Sequence, residues 1–256
     1  MTGGLVLLRK ELLESWRTLR LPIVTGLFLL VGLSSPLLAK FLPEIIKAAT
    51  GDQLPSIPIP TPVAADAATQ LWKNVAQFGA IAAIVLAMGS VAAEKERGTA
   101  AFVLSKTVSR GAFLAAKVAS IGAVLAIGVV LATAVAWFYT AVLFEPLPAA
   151  GWVGFAVLAW LGLAVWGAIT FAGSVVTGST AAAAGIGFVG LLVLSIASAI
   201  PTIGDYLPGG LAGPAIGMAA GTEVSTSDVA TAVAGTLVLI VLAIVVAAWS
   251  FRNQEI

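Results

Sequence analysis

The charged residues of this chain are concentrated in one insert, which offers the clearest candidates for side-chain chemistry. The insert begins Glu94-Lys95-Glu96-Arg97-Gly98-Thr99 and continues to Lys106, Arg110 and Lys117, with a long apolar run on either side. We expect a charged segment between two apolar runs to face the cytoplasm. The insert is therefore the place where a soluble partner is expected to act on the chain.

The chain offers no comparable candidates for covalent catalysis. Cysteine and histidine are both absent, which removes disulfides, Ser-His-Asp and Cys-His nucleophiles and the two-histidine zinc motif. The run Gly185-Ile186-Gly187-Phe188-Val189-Gly190 fits a dinucleotide fingerprint, and Asp205 lies 20 residues beyond its first glycine. However, it sits inside a predicted membrane span with no strand before it, so close helix packing explains it better. We expect no catalytic, cofactor-binding or metal-binding residues.

The composition indicates an integral membrane protein. Hydrophobic residues make up 60% of the chain, charged residues only 10%, and the mean hydropathy is +1.08, which no soluble globule with a polar surface accommodates. Each crossing needs about 20 apolar residues. The charge-free stretch from Pro146 to Gly204 must hold two crossings, with the small-polar cluster 173–180 as the turn. The predicted domain, 22–252, has spans at about 22–42, 72–93, 113–140, 152–172, 181–200 and 229–251.

The distribution of Lys and Arg predicts the orientation. Basic residues collect in the N-terminal segment, in the connection between the second and third spans and at Arg252, whereas the other side holds only Lys40, Lys47 and Lys73. The positive-inside rule then places both termini and the 253–256 tail in the cytoplasm. We expect a multi-pass protein of the cell membrane.

Residues 1–21 are predicted to form an amphipathic helix that lies on the inner leaflet. Leu5, Leu8, Leu12, Trp16 and Leu19 recur every three or four residues. Trp16 is expected at the headgroup level, with Arg9, Arg17 and Arg20 reaching lipid phosphates, and Pro22 is expected to break the helix before the first span. The helix is either a simple anchor or a grip for a partner, and the sequence leaves both open.

Two connections on the outer side differ in character. The first, at about residues 41–73, carries a Pro-x-Pro-x-Pro run and is predicted to be an extended spacer. The last, at 201–221, is apolar but contains Pro208, Pro214 and six glycines. We expect it to form short re-entrant helices before the sixth span.

Within the insert, the pattern predicts a helix end, a short cross-helix and a helix start. Glu94, Glu96 and Arg97 mark the end of the second span, and Gly98 permits a change of direction. Thr99 can cap a short helix over residues 100–106, and Ser109 can cap the next helix.

This whole stretch, 94–110 with the later Lys117, resembles the signature of type-2 ATP-binding cassette (ABC) transporter permeases. That family has an acidic-Gly-Thr pattern, a Leu-rich short helix, a Pro-Val-Ser/Thr-Arg-like step and a later lysine. Thr107 stands where many members carry proline, which affects only the stiffness of the step. The overall layout is also similar: an interfacial helix, six spans and re-entrant segments before the sixth.

The resemblance implies a permease that assembles as a homodimer or pair with cytoplasmic ABC ATPase subunits, which would hold the ATP and Mg. The chain has no Gly-Lys pair and so no phosphate-binding loop of its own. Helix 100–106 is implied to be a coupling helix, with its angle held by ion pairs of Glu94, Glu96 and Arg97. The residues implied in coupling are Glu94, Glu96, Arg97, Gly98, Thr99, Phe102, Leu104, Lys106 and Arg110.

Several alternatives stay open at this point. The four charges Glu94–Arg97 equally fit a simple membrane boundary, whereas an apolar short helix in the cytosol favours docking of a partner. Export powered by an ATPase is the first functional class, and a non-transporting scaffold for signalling or assembly is the second. A secondary carrier is disfavoured because no ionisable residue lies inside the predicted spans away from their ends. Membrane lipid is an expected partner, nucleic acid is not, and the sequence does not identify the substrate.

Overall fold

The computed structural model describes residues 2–50, 61–98 and 109–254, and these three ranges form helices without a strand. Six helices are long and apolar enough to cross a membrane. This confirms the predicted class, an all-α membrane protein with six spans. In order, they are Arg20–Ala48, Ala64–Glu96, Arg110–Leu143, Ala149–Thr177, Thr180–Ser198 and Thr226–Arg252, called here the first to the sixth span.

The N-terminal helix, Thr2–Arg17, packs against the third span and the start of the first. The helix break falls at Leu19, which has a left-handed backbone with φ of 60°. The expectation that Pro22 would break the helix before the first span is wrong. Pro22 lies in the first turn of the next helix, Arg20–Thr50, where its missing N–H leaves no hydrogen bond unmade.

The first span is longer than its apolar run suggests. Its helix continues to Thr50 and contains both Pro36 and Pro43, so neither proline ends it. A 31-residue helix is about 46 Å long, which exceeds the roughly 30 Å hydrocarbon layer. The expected spacer loop is shorter than predicted, because helix follows again from Ala64.

The second span is interrupted twice. An α-helix over Ala64–Asn74 continues as a π-turn over Val75–Gly79 and an α-helix over Ala80–Met88. After a break at residues 89–91, one further helical turn covers Ala92–Glu96. Gly98 follows with φ of +68°, the left-handed conformation that glycine adopts without strain. The predicted coupling helix, 100–106, and its cap Thr99 lie outside the described residues.

The predicted cap of the third span and the predicted turn after the fourth are found in the structure, the turn in shorter form. Ser109 caps the third span, its Oγ accepting a bond from the Ala112 N–H at 3.2 Å. The fourth span ends where Gly178 takes a left-handed backbone, and Ser179 is the N-cap of the fifth. The turn is therefore the later part of the small-polar cluster, because residues 173–177 continue the helix of the fourth span.

Short helices precede the sixth span, as the proline and glycine pattern predicts. They are the 3-10 turns Gly204–Tyr206 and Pro208–Leu211 and the α-helix Ala212–Ala220. Ala212–Ala220 packs against the fourth span and against Ala64–Asn74, the start of the second. These helices therefore lie at the end of the bundle opposite Glu96.

The fourth span is the centre of the bundle. In its most apolar stretch, 67% of the residues are buried, against 11% for the fifth span and 17% for the sixth. The fifth span approaches the centre through Gly187, where an added Cβ would lie 2.3 Å from Thr170 Oγ1. Close packing therefore accounts for a glycine of the nucleotide-like run, as expected.

Candidate functional site

The last turn of the second span, with the residues beside it, contacts more of the bundle than its length suggests. We call residues 91–98 the junction. Described residues at the ends of the third, fourth, fifth and sixth spans bond to it or to each other around it. The junction leads directly into residues 99–108, the predicted coupling segment.

Ser174 of the fourth span holds the backbone of the junction. Its buried Oγ accepts bonds from the Val91 N–H at 3.1 Å and the Ala92 N–H at 2.9 Å. These are the first N–H groups of the helical turn Ala92–Glu96, which have no partner within that turn. One hydroxyl from a neighbouring span therefore caps the break in the second span.

A buried ion cluster connects the junction to the third span and the N-terminal helix. The Nζ of Lys117 is 2.7 Å from Glu94 Oε1 and 3.3 Å from Glu11 Oε2, and the Lys117 side chain is only 4% exposed. A buried ammonium group is tolerated when carboxylates surround it. Lys117 therefore fixes the distance between three elements.

Lys10 joins the same cluster from its exposed side, 3.2 Å from Glu11 and 3.3 Å from Glu14. Partial burial of the ammonium opposes its charge, but the attraction of Glu11, Glu14 and Glu94 outweighs burial and raises the pKa of Lys10 above its ordinary value. The carboxylates of the cluster thus favour the charged form of Lys10.

Lys95 connects the junction to the fourth and sixth spans. Its Nζ donates to the Val175 carbonyl at 2.6 Å and to Gln254 Oε1. Gln254 also donates from Nε2 to the Val175 carbonyl at 3.2 Å and to Ser250 Oγ at 3.0 Å. These bonds hold the end of the sixth span against the end of the fourth.

Arg110, at the start of the third span, holds the same end of the sixth. Its Nη1 donates to the carbonyls of Phe251, Arg252 and Gln254 at 3.0, 3.1 and 3.2 Å. A cation at a helix C-terminus satisfies carbonyls that have no partner within the helix and interacts well with the helix dipole. Below it, the Phe113 and Phe251 rings stack at 5.8 Å.

Glu96 connects the junction to the fifth span. Its carboxylate accepts bonds from the Thr180 N–H at 2.8 Å and the Thr180 hydroxyl at 3.0 Å. Thr180 is the first residue of that helix, where the dipole favours negative charge. Glu96 therefore acts as a cap supplied by a different span.

The structure places the sequence-predicted residues unevenly. Glu94, Glu96 and Arg110 come together around the junction. Ion pairs were expected for Glu94, Glu96 and Arg97, and the structure shows one for Glu94, with Lys117. Glu96 bonds to neutral groups, and Arg97 is exposed without an ion pair among the described residues. Thr99, Phe102, Leu104 and Lys106 lie outside those residues, so their coupling role stays a prediction. Arg9, Trp16, Arg17 and Arg20 are exposed along the N-terminal helix and its turn.

Sequence reasoning missed the partners of the junction. Ser174, Thr180, Gln254 and Glu11 are ordinary polar residues, and nothing in their local pattern sets them apart. Lys117 gave the only signal, as a lysine at the edge of an apolar run. The contacts are 23 to 159 residues apart along the chain, which explains why local patterns did not find them.

The arrangement can pass movement from one helix end to another. Among the described residues, no group of three or more Asp and Glu side chains could hold a metal ion. The bonds are of the kind that fixes helix ends relative to one another: caps, ion pairs and an aromatic stack. The fold and this site define a multi-pass, six-span membrane protein with its helix ends joined at one side.

Comparison with known proteins gives the family. The family model described as ABC-2 family transporter protein matches residues 5–219. The chain therefore belongs to the ABC-2 family of transporter proteins. It is also similar to the uncharacterized transmembrane protein YxlG of Bacillus subtilis (strain 168), at 28% identity over 144 residues. The match covers 55% of each chain, about half the length of that relative.

Proposed function

We propose that this chain is the permease subunit of an ATP-driven exporter, and that the junction carries force from separate ATPase subunits to the membrane spans. The observation that carries the proposal is the bonding of the junction to spans three to six and, through Lys117, to the N-terminal helix. ATP and Mg would be bound and ATP hydrolysed in the partner, with no cofactor in this chain.

The bonding pattern supports a mechanical sequence. The ATPase subunits push on residues 99–108, which continue directly from Gly98 and lead into Ser109. Glu94 and Lys117 make the second and third spans move together, and Glu96 passes the movement to the fifth. Lys95 and Arg110 carry the sixth span with them. Substrate movement follows when these helix ends shift relative to the fourth span.

The surface of the bundle supports a second copy of the permease. The fifth and sixth spans are almost unburied in the single chain, and in a dimer one of these faces would meet the partner while others meet lipid. The N-terminal helix exposes Trp16 with Arg9, Arg17 and Arg20, a combination suited to an anionic membrane surface. Basic residues gather at the junction end, which supports cytoplasmic termini in the cell membrane.

The decisive experiment replaces Phe102 and Leu104 together with aspartate. We expect the ATPase subunits to be lost from the purified permease, because docking needs the apolar face of the predicted helix 100–106. The permease itself should stay in the membrane. The matched control is Leu54→Asp with Ile57→Asp, the same change in the predicted spacer at the other end. Unchanged ATPase recovery with the first variant would contradict the docking role.

Transport itself is tested in inverted membrane vesicles that contain permease and ATPase. ATP-dependent accumulation of substrate inside the vesicles is the result expected for an exporter. ATP hydrolysis without any movement of candidate substrates would instead support the scaffold that only transmits force.

A further inference from the structure

A cavity of about 240 Å³ lies at the end of the bundle opposite the junction. Its walls come from the second, fourth and fifth spans and from the 3-10 turn Pro208–Leu211. No charged residue lines it, and most of its surface is apolar. A cavity of 150 Å³ holds benzene, so this one has room for about ten non-hydrogen atoms.

Four hydrogen-bonding side chains on the wall have no partner among the described residues. They are the indoles of Trp72 and Trp166 and the hydroxyls of Ser195 and Ser198. Trp166 is only 8% exposed. Its Nε1 is not one of the fully enclosed unpartnered atoms, so the N–H keeps access to open space and can donate to an acceptor that a ligand brings.

Some similar side chains elsewhere in the chain have partners. Trp137 donates to the Leu147 carbonyl at 3.0 Å, and Trp160 donates to the Gly122 carbonyl at 2.9 Å. Other buried groups lack partners among the described residues, namely the Trp152 indole and the hydroxyls of Thr133, Thr170 and Thr236. The cavity is set apart because four unpartnered groups line one apolar space.

The backbone around the cavity leaves space and an entrance. Val75 and Ala76 on its wall belong to the π-turn Val75–Gly79, a distortion that often occurs at functional sites. At Gly162 the nearest side-chain atom to an added Cβ would be 3.6 Å away. Ala76 and Ser195 are exposed, so the cavity opens sideways between the second and fifth spans.

We infer that this cavity binds an uncharged amphipathic small molecule that carries hydrogen-bond acceptors such as an ester or a carbonyl. The apolar wall holds its hydrocarbon part, and the indole N–H groups of Trp72 and Trp166 donate to its acceptors. A charged ligand would enter without a counter-ion, because no ionisable group lines the cavity. Binding here requires no ATPase, so the inference extends beyond the proposed coupling role and can be tested separately from it.

The test uses the whole protein in lipid nanodiscs and a photoactivatable diazirine derivative of ethyl hexanoate, an uncharged ester of a size that the cavity accommodates. We expect saturable labelling of peptides from the second, fourth and fifth spans. Unlabelled ethyl hexanoate should compete at least tenfold better than decane, which has no acceptor, or octanoate, which is charged. Equal competition by decane would overturn the role of the donors, and labelling confined to other spans would overturn the site.

Two variants and a matched control locate the binding. Trp166→Phe keeps an aromatic ring, although a smaller one than the indole, and removes the N–H; it should weaken binding about tenfold, the worth of one hydrogen bond. Gly162→Leu should fill the cavity and abolish saturable labelling. Trp160→Phe removes an indole N–H that bonds to Gly122 outside the cavity and should leave binding unchanged. If Gly162→Leu does not fold, Trp166→Phe decides alone, and wild-type affinity in that variant would refute the inference.

Discussion

Ser174 at the junction accepts two backbone N–H bonds, whereas Ser195 at the cavity has no hydrogen-bond partner among the described residues. The same contrast holds for larger groups. Lys117 is surrounded by carboxylates, while the Trp166 indole has no acceptor in the described part of the chain. The named polar groups at one end of the bundle join helices, and those at the cavity are available to a ligand. The difference agrees with the two proposed roles, force transmission at the first region and ligand binding at the second.

The largest effect on stability is expected from Lys117→Met, which removes the cation of the ion cluster. Glu11 and Glu94, both largely buried, would lose the Lys117 ammonium, at a cost of about 3 kcal/mol in the free energy of unfolding. Titration of the purified protein with sodium dodecyl sulfate measures this loss. Adding Glu11→Gln and Glu94→Gln should recover part of it, because the side chains that faced the lost ammonium are then neutral. An unchanged unfolding free energy for Lys117→Met would contradict the role of the cluster.

A smaller effect should separate the two serines directly. Ser174→Ala leaves the Val91 and Ala92 N–H groups without an acceptor and should cost about 2 kcal/mol. Ser195→Ala removes a hydroxyl without a partner among the described residues and should change the free energy of unfolding by less than about 0.5 kcal/mol. The same titration compares them. Equal losses for the two variants would remove the distinction between the two ends.

The smallest difference is expected between two tryptophans. Trp160→Phe loses the bond to the Gly122 carbonyl and should cost about 1 kcal/mol. Trp166→Phe loses no bond among the described residues. Its free energy of unfolding should therefore differ from that of the wild type by no more than about 0.5 kcal/mol. Thermal unfolding of the two variants side by side provides the measurement. A greater loss for Trp166→Phe would show that its N–H has a partner within the protein.

The sequence predicted much of the fold because apolar length and helix caps are local signals. Ser109 as a cap, Gly98 as a turn and a break within residues 173–180 were all found from neighbouring residue types, although the helix continues to Thr177 before that break. Pro22 was misjudged because proline breaks a helix interior but fits a first turn, and the sequence alone did not show that the helix begins at Arg20. Pro36 and Pro43 stay inside a helix that the apolar run did not show to reach Thr50.

The candidate sites were less accessible to sequence reasoning. Glu94, Glu96 and Arg110 stood out as charges in an apolar chain, but their partners Lys117, Thr180 and Phe251 are defined by helix packing. The cavity depends on a π-turn and on residues from three spans. Neither a π-turn nor an unmade hydrogen bond has a residue pattern that identifies it, because both arise only when distant helices come together.

The bonds made by Arg110 and Lys95 also bear on how the protein is produced. Their acceptors include the carbonyl and side chain of Gln254, and the ribosome reaches that residue well over a hundred residues after it has made the junction. The second and third spans must therefore enter the membrane before these two cations can reach Gln254. The junction end gains its full set of bonds only when the chain has been translated through its sixth span, so the same bonds distinguish chains that contain the sixth span from prematurely terminated ones.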